Sequence, residues 1–154
     1  MTVEQLYQIA DDPKRYLSRN YRSEMRMKAK RDRITHLREI CYSMSQELKA
    51  VVVYTGPTSK LENCIAEILD LEKEIEAEIL DLKQTQRETA DAICSLLEDS
   101  TLVTLMEMRY LADKRWDEIA IDMNYAHRWV QRLHTRALQQ MRIEAVVRLF
   151  EQAA

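Results

Sequence analysis

Hydrophobic residues recur at helical spacing along almost the whole chain, and turn residues are rare. Residues 2–10 can form a short helix with its apolar side chains on one side. Asp11, Asp12 and Pro13 then supply an acidic cap and a proline, which together predict the start of a second helix. That helix is expected to continue to near Leu48. An apolar seam runs along its second half, formed by Ile34, Leu37, Cys41, Met44 and Leu48.

A loop is predicted at residues 50–60, which contain the only glycine of the chain as Gly56-Pro57. A third helix is expected from Ser59 to about Leu97, a length of roughly 60 Å. Its apolar stripe has to be covered, and the second helix, running antiparallel, is the nearest cover. These two helices are therefore expected to form a long, coiled-coil-like hairpin. The stripe of the third helix comprises Leu61, Ile65, Ile68, Ile75, Ile79, Leu82, Ile93 and Leu96.

A second domain is predicted at residues 100–154, after a hairpin domain at residues 1–99. It begins with a strongly apolar helix, from Leu102 to Leu111, that is expected to form the floor of the domain. Two more helices separated by a very short turn follow from Trp116 onwards. This order is typical of a helix-turn-helix module, so the whole chain is predicted to be all-α: a helical hairpin followed by such a module.

Three residues support the turn of this module. Ala120 is small enough to let the second helix pass close to the first. Asn124 falls where a tight turn requires a left-handed backbone, which asparagine adopts more readily than most residues. Val130 is expected to be buried in the angle between the two helices. The sequence therefore predicts a compact helix-turn-helix between Trp116 and Met141.

The second helix of the module, from about Ala126 to Met141, has two different sides. Its predicted buried stripe comprises Ala126, Val130, Leu133, Ala137 and Met141. Its opposite side carries long hydrogen-bond donors and no acid, in His127, Arg128, Gln131, Arg132, Thr135, Gln139 and Arg142. Such a surface is suited to the major groove of DNA. An ordinary basic surface helix is the alternative interpretation.

Composition and charge agree with an all-helical chain and add a segregation of charge. One glycine and two prolines in 154 residues leave few positions for the turns of a sheet. The net charge of −3 hides a basic stretch, Lys14–Arg38, and an acidic one at residues 60–99. Opposite charges beside the seam would favour pairing of the two long helices. The basic stretch could equally form a second DNA-contacting surface, and the sequence leaves both interpretations open.

Several functional classes receive no support from the sequence. Cys41, Cys64 and Cys94 are widely spaced, lack neighbouring histidines and are predicted to be small core residues rather than zinc ligands. No phosphate-binding glycine loop or nucleophile motif occurs, so neither an enzyme nor a cofactor is expected. No apolar run approaches the length of a membrane span, and no signal peptide is recognisable. The expected location is the cytoplasm.

One further pattern extends over the C-terminal part, about Leu102 to Met141. It consists of Met108-Arg109-Tyr110-Leu111, Trp116-Asp-Glu-Ile-Ala, Val130, Leu133 and Arg136-Ala137-Leu138. This pattern resembles region four of bacterial sigma factors. It is most similar to the sigma-region-four-like regulators of phages, prophages and mobile elements, which also carry a helical N-terminal half. The chain departs from the family at Arg115 and Ala126, where many relatives have a Ser or Thr that caps a motif helix. No companion to sigma region two is recognisable.

The resemblance implies roles for individual residues. The family's base-reading positions fall on His127, Arg128, Gln131 and Arg132. Contacts to the phosphate backbone are implied for Lys114, Arg115, Thr135 and Arg136. Packing roles are expected for Trp129 and His134, which border the buried stripe.

The function expected from the resemblance is that of a phage-type transcriptional regulator that binds promoter DNA in the cytoplasm of a bacterial host. Double-stranded DNA is the expected partner, and RNA polymerase and a second copy of the chain are candidate partners. Two other functions fit the same pattern. A small terminase subunit, which binds phage DNA for packaging, would assemble into a ring. A structural coiled-coil protein would not bind DNA.

Overall fold

The computed structural model describes the backbone of residues 1–50 and 55–154, and the side chains of residues 1–47 and 60–154. Within these residues the chain is helical and has no strand, which confirms the predicted all-α class. The helices are α1 (Val3–Asp11), α2 (Pro13–Leu17), α3 (Arg19–Ala50), α4 (Thr55–Leu96), α5 (Ser100–Tyr110), α6 (Trp116–Met123) and α7 (His127–Ala153).

The described helices form two compact units. We call residues 1–20 with 83–154 the terminal unit, and residues 21–82 the helix-pair unit. The predicted domain boundary between residues 99 and 100 therefore falls inside the terminal unit. The reason is a long-range contact: α1 packs along α7, and Leu6, Ile9 and Ile93 are fully buried in the same core as the C-terminal helices. The core of the terminal unit thus draws on both ends of the chain.

Local capping signals define the N-terminal helices. The Thr2 hydroxyl accepts the N–H of Gln5, and the Gln5 side chain accepts the N–H of Thr2, which closes a capping box at the start of α1. Asp12 caps α2, as predicted, by accepting the N–H of Arg15 at 3.1 Å. The single long helix predicted from Pro13 is instead divided at Ser18, whose hydroxyl donates to the carbonyl of Lys14 at 2.7 Å. Such bonds to the preceding turn compete with helical geometry.

Two arginines of α7 join it to other helices of the terminal unit. The Arg142 guanidinium donates to the carbonyls of Ala10 at 2.8 Å and Asp11 at 2.9 Å, which end α1. Arg148 donates to the carbonyl of Ser95, in the last turn of α4, at 2.6 Å. Terminal carbonyls lack partners within their own helix, so both arginines satisfy groups that the helices leave open. Arg142, predicted among the free donors of α7, is therefore used within the fold.

In the helix-pair unit, α3 and α4 pack side by side in opposite directions. Lys30 lies 2.5 Å from Glu78 while Cys41 contacts Cys64, so rising numbers on α3 meet falling numbers on α4. Ile34, Ile68, Leu71 and Ile75 are buried between them, whereas Ile65, predicted in the stripe, is 45% exposed. The face that meets α3 passes through Cys64, Ile68, Leu71 and Ile75 and so leaves Ile65 to one side.

Ion pairs flank this seam. Lys30 contacts Glu74 and Glu78, Arg33 contacts Glu67, and Arg38 contacts Glu72. These contacts supply the charge pairing that was one of the two interpretations of the basic stretch. Exposed ion pairs are individually weak, so they specify the partner and register more than they add stability.

The predicted loop at residues 50–60 lies partly outside the described residues, since 51–54 are among those not described. The helix that follows begins at Thr55, four residues before the predicted Ser59. Pro57 lies in its first turn, where a missing N–H removes no helical hydrogen bond.

The cysteines differ in burial. Cys64 is buried and Cys41 partly buried, as predicted, but Cys94 is exposed, so the predicted core role is wrong for Cys94. The last turns of α4 turn Ala92, Ile93 and Leu96 towards the core, which leaves position 94 on the outer side. Among the residues that the structure describes, no helix combines the length and apolar character needed to cross a membrane.

Candidate nucleic-acid interface

The turn between α6 and α7 is set by a left-handed asparagine. Asn124 has φ 57° and ψ 43°, which confirms the conformation predicted for it. The N–H of Tyr125 donates to the carbonyl of Ala120 at 3.0 Å, and the N–H of Asn124 donates to that of Ile121 at 3.2 Å. These bonds satisfy the last carbonyls of α6 and turn the chain directly into α7.

The inner side of α7 is fixed by burial. Val130, Ala137 and Met141 are fully buried in the core of the terminal unit, which also contains the fully buried Ile119 of α6. Ala126 was predicted in the same stripe but is exposed, because it precedes the first turn as an extended capping residue. It makes no side-chain cap bond. The buried stripe thus begins one turn later than predicted.

A polar aromatic cluster holds the start of α6 against α7. The Arg109 guanidinium lies 4.4 Å from the centroid of the Trp116 ring and donates to the carbonyl of Lys114 at 3.0 Å. The Trp116 ring meets His134 edge to face, with centroids 4.6 Å apart. The Tyr110 Oη lies 2.6 Å from His134 Nε2. His134 therefore has the structural role expected for it.

The protonation states in this cluster follow from burial. Burial, reinforced by the positive charges of Lys14 and Arg109, lowers the pKa of His134 to about 4. Burial is also the main cause that raises the pKa of Tyr110 to about 12. At neutral pH the histidine is neutral and the tyrosine is protonated, so the bond joins two uncharged groups, and the histidine tautomer determines which of them donates.

Acidification should destabilise the protein through His134. Its pKa of about 4 in the folded state lies below the unfolded value near 6.5, so the unfolded chain gains the proton first as pH falls. The stability that comes from keeping this histidine neutral is fully present above pH ~6.5 and is lost as pH falls towards ~4. The free energy of unfolding should therefore fall by about 2 kcal/mol between pH ~7 and pH ~5. Denaturant unfolding at the two pH values measures it.

Two glutamine variants provide the comparison for this prediction. His134→Gln should abolish most of the loss of stability on acidification that is attributed to this histidine. His127→Gln, at an exposed position on the same helix, should show the same loss as the parent. An equal pH dependence in both variants and the parent would contradict the assignment to His134.

The predicted base-reading residues lie at the outer side of the first turns of α7. His127, Arg128 and Arg132 are exposed, and Gln131 is half-buried. Arg128 and Arg132 are one turn apart and point from neighbouring positions of the same face, about 6 Å apart along the helix axis. Among the described residues, neither arginine has a carboxylate partner. Their donors are therefore available for a ligand.

The predicted phosphate-contacting residues fall into two groups. Lys114 lies 2.6 Å from Asp122, and Arg115 lies 3.5 Å from Glu118 and 3.7 Å from Asp117. The backbone N–H of Arg115 also donates to the Glu118 carboxylate at 3.1 Å, which is one of the two bonds of a capping box. The other bond needs a side-chain acceptor at position 115, which arginine lacks. Both cations are thus shared with acids of α6.

Thr135 and Arg136 form the second group and lie on α7 itself. Both are exposed. The Thr135 hydroxyl donates to the carbonyl of Gln131 at 3.1 Å and retains its lone pairs as acceptors. Arg136 follows Arg132 by one turn and lies at the border of the face defined by Arg128 and Arg132.

Two exposed aromatic residues beside the turn were not identified as candidates from the sequence. Tyr125 is 41% exposed and Trp129, predicted to pack, is 40% exposed. Tyr125 lies in the turn before α7 and Trp129 lies four positions later, in the first turn of α7, and each carries a polar hydrogen able to reach a phosphate. The sequence feature that could have identified them is the position of both residues next to the predicted turn.

The described residues contain no group of three or more His, Cys, Asp or Glu side chains arranged to hold a metal ion. Comparison with protein-family models, with curated proteins and with solved structures found no match to this chain.

Proposed function

We propose that this protein is a transcriptional regulator of the type found in phages and mobile elements, and that α7 binds the major groove of promoter DNA. The observation that carries the proposal is the exposed pair Arg128 and Arg132, one turn apart on a face without a competing acid. Guanidinium groups bind guanine edges and phosphates through paired hydrogen bonds. Residues 127–143 contain no Asp or Glu, so this face presents positive charge only.

The geometry around α7 supports this use of the helix. A short helix, a left-handed turn and a long helix follow the plan of a helix-turn-helix, in which the first turns of the second helix reach the bases. Arg142 and Arg148 join the later part of α7 to α1 and α4, so the first turns belong to a helix anchored along its length. The resemblance to sigma region four provides the same assignment from the sequence.

Each residue of the interface has a role in the proposal. Arg128 and Arg132 contact bases or the phosphates beside them, and Gln131 pairs with adenine. His127, at the start of α7, hydrogen-bonds a base or a phosphate. Thr135 and Arg136 position the helix by contacting phosphates. Lys114 and Arg115 can contact a phosphate only if they give up their ion pairs with the acidic residues of α6.

Salt dependence tests the electrostatic part of this proposal. The full chain is mixed with a labelled duplex selected from fragmented phage and bacterial DNA, and binding is followed by fluorescence anisotropy. With about four phosphate contacts, affinity should fall about 100-fold between ~50 and ~200 mM salt. Absence of binding at low salt would contradict the proposal and would leave the structural coiled-coil interpretation.

Assembly state separates the proposal from the terminase alternative. A regulator of this type is expected to be a monomer or a dimer of this chain, and RNA polymerase is the proposed protein partner. A packaging subunit would form a ring of many copies. Light scattering of the free protein distinguishes them, and a ring would contradict the proposal.

A further inference from the structure

Two of the three cysteines face each other across the helix-pair unit. The Sγ atoms of Cys41 on α3 and Cys64 on α4 are 2.7 Å apart, and both residues are free thiols. The Cys64 thiol also lies 3.4 Å from the carbonyl of Leu37. The proposed DNA interface uses neither residue, because both belong to the helix-pair unit.

The distance between the sulfurs is close to that of a bond. A disulfide has a sulfur–sulfur distance of about 2.05 Å, so the two atoms need to approach by only about 0.7 Å. The helices that carry them are held in register by Ile34, Ile68 and Leu71 in the seam, and by the ion pair of Arg38 with Glu72. The fold thus presents the two thiols to each other before any reaction.

We propose that Cys41 and Cys64 form a reversible intramolecular disulfide that links α3 to α4 when the protein meets a hydroperoxide. The pair is a modification site, and the oxidant is a small peroxide such as hydrogen peroxide. This proposal is independent of DNA binding by α7.

The two sulfurs take different parts in the reaction. Cys41 is partly exposed and Cys64 is buried, so the peroxide reaches Cys41 first. The hydrogen bond with Cys41, followed by burial, raises the pKa of Cys64 to about 11, which keeps Cys64 protonated at neutral pH. Cys41 is therefore the attacking thiol and Cys64 the resolving one.

The reaction balances in two steps. The Cys41 thiolate attacks one oxygen of hydrogen peroxide, the O–O bond breaks, and a sulfenic acid forms while the other oxygen leaves as hydroxide and takes a proton to become water. The Cys64 sulfur then attacks the Cys41 sulfur and loses its proton, and the sulfenic hydroxyl leaves as a second water. Two thiols are oxidised to one disulfide, and one peroxide is reduced to two waters.

The cross-link would close the chain between residues 41 and 64 and so join the two helices on either side of residues 51–54. A covalent link between two segments restricts the unfolded chain and thereby stabilises the folded one. Oxidation is therefore expected to raise the melting temperature of the helix-pair unit, and a reductant such as dithiothreitol should reverse the change.

The test uses the full chain with Cys94→Ser, which removes the exposed third thiol and leaves the facing pair. The protein is treated with an equimolar amount of hydrogen peroxide, alkylated and weighed by mass spectrometry. The expected product has no alkylatable thiol, has lost the mass of two hydrogen atoms, remains a single chain, and melts at a higher temperature. Dithiothreitol should restore both thiols.

Two controls make the result specific. Cys41→Ser and Cys64→Ser, each combined with Cys94→Ser, should keep their helical circular dichroism and show no rise in melting temperature on oxidation. The proposal is overturned if the parent pair gives only added oxygen atoms or cross-linked dimers. It is also overturned if either control shows the same thermal shift.

Discussion

Replacing both Arg128 and Arg132 by alanine is expected to remove specific DNA binding while leaving the helical content unchanged. Both side chains are exposed and have no carboxylate partner among the described residues, so truncation removes no ion pair of the fold. Each lost arginine contact should cost about 1–3 kcal/mol, equivalent to roughly 5- to 150-fold in affinity. Fluorescence anisotropy with the selected duplex, at one fixed salt concentration, measures the single and double variants.

Arg87→Ala provides a matched control for these variants. Arg87 is an exposed arginine of α4, so its removal changes the net charge by the same amount away from α7. Its affinity for the duplex should stay close to that of the parent. If Arg87→Ala weakens binding as much as either single variant of α7, the effect is one of net charge and the assigned face is wrong.

Replacing Val130 by aspartate is expected to unfold the terminal unit or to destabilise it severely. Val130 is fully buried in the core of the terminal unit, on the helix that packs against α5 and α6. An uncompensated buried charge costs about 3–5 kcal/mol, a large fraction of the stability of an ordinary domain. Denaturant unfolding followed by circular dichroism measures the loss.

The same substitution at Val147 distinguishes burial from a general effect of the charge. Val147 lies on the same helix but is 42% exposed, so an aspartate there remains hydrated. Val147→Asp should change the unfolding free energy by less than about 0.5 kcal/mol. Similar losses for both variants would contradict the packing of α7 against α5 and α6.

The elements that sequence patterns predicted well are those with local causes. The helices and the turn of the C-terminal part follow from a repeating apolar stripe and from the backbone preference of Asn124, both of which are encoded within a few residues. The caps at Thr2 and Asp12 are equally local. The all-α class follows from the scarcity of turn residues.

The predictions that failed depend on contacts between distant parts of the chain. The packing of α1 along α7 places the first 20 residues with the C-terminal helices, and no local pattern distinguishes this from packing on α3. From the sequence, Arg142 is predicted to be a free donor. In the folded chain it donates to the carbonyls that end α1. The exposure of Cys94 depends on which side of α4 meets the core.

In the candidate site, too, features with local causes were predicted from the sequence, and features that depend on contacts between helices were not. Exposure of Arg128 and Arg132 follows from their position opposite the buried stripe, which the helical period determines. The ion pairs of Lys114 with Asp122 and of Arg115 with Glu118 join the turn to α6 and require the folded geometry. The partial exposure of Tyr125 and Trp129 likewise depends on how much of them α6 covers.

The most direct test of the central claim is a nuclear magnetic resonance titration of the labelled full chain with the selected duplex. The account predicts that the largest shifts of backbone amide signals fall in the first turns of α7, at residues 127–136, with smaller changes around Asn124. Shifts confined to exposed basic residues of α3, such as Arg22, Lys28 and Arg31, with α7 unchanged, would contradict it.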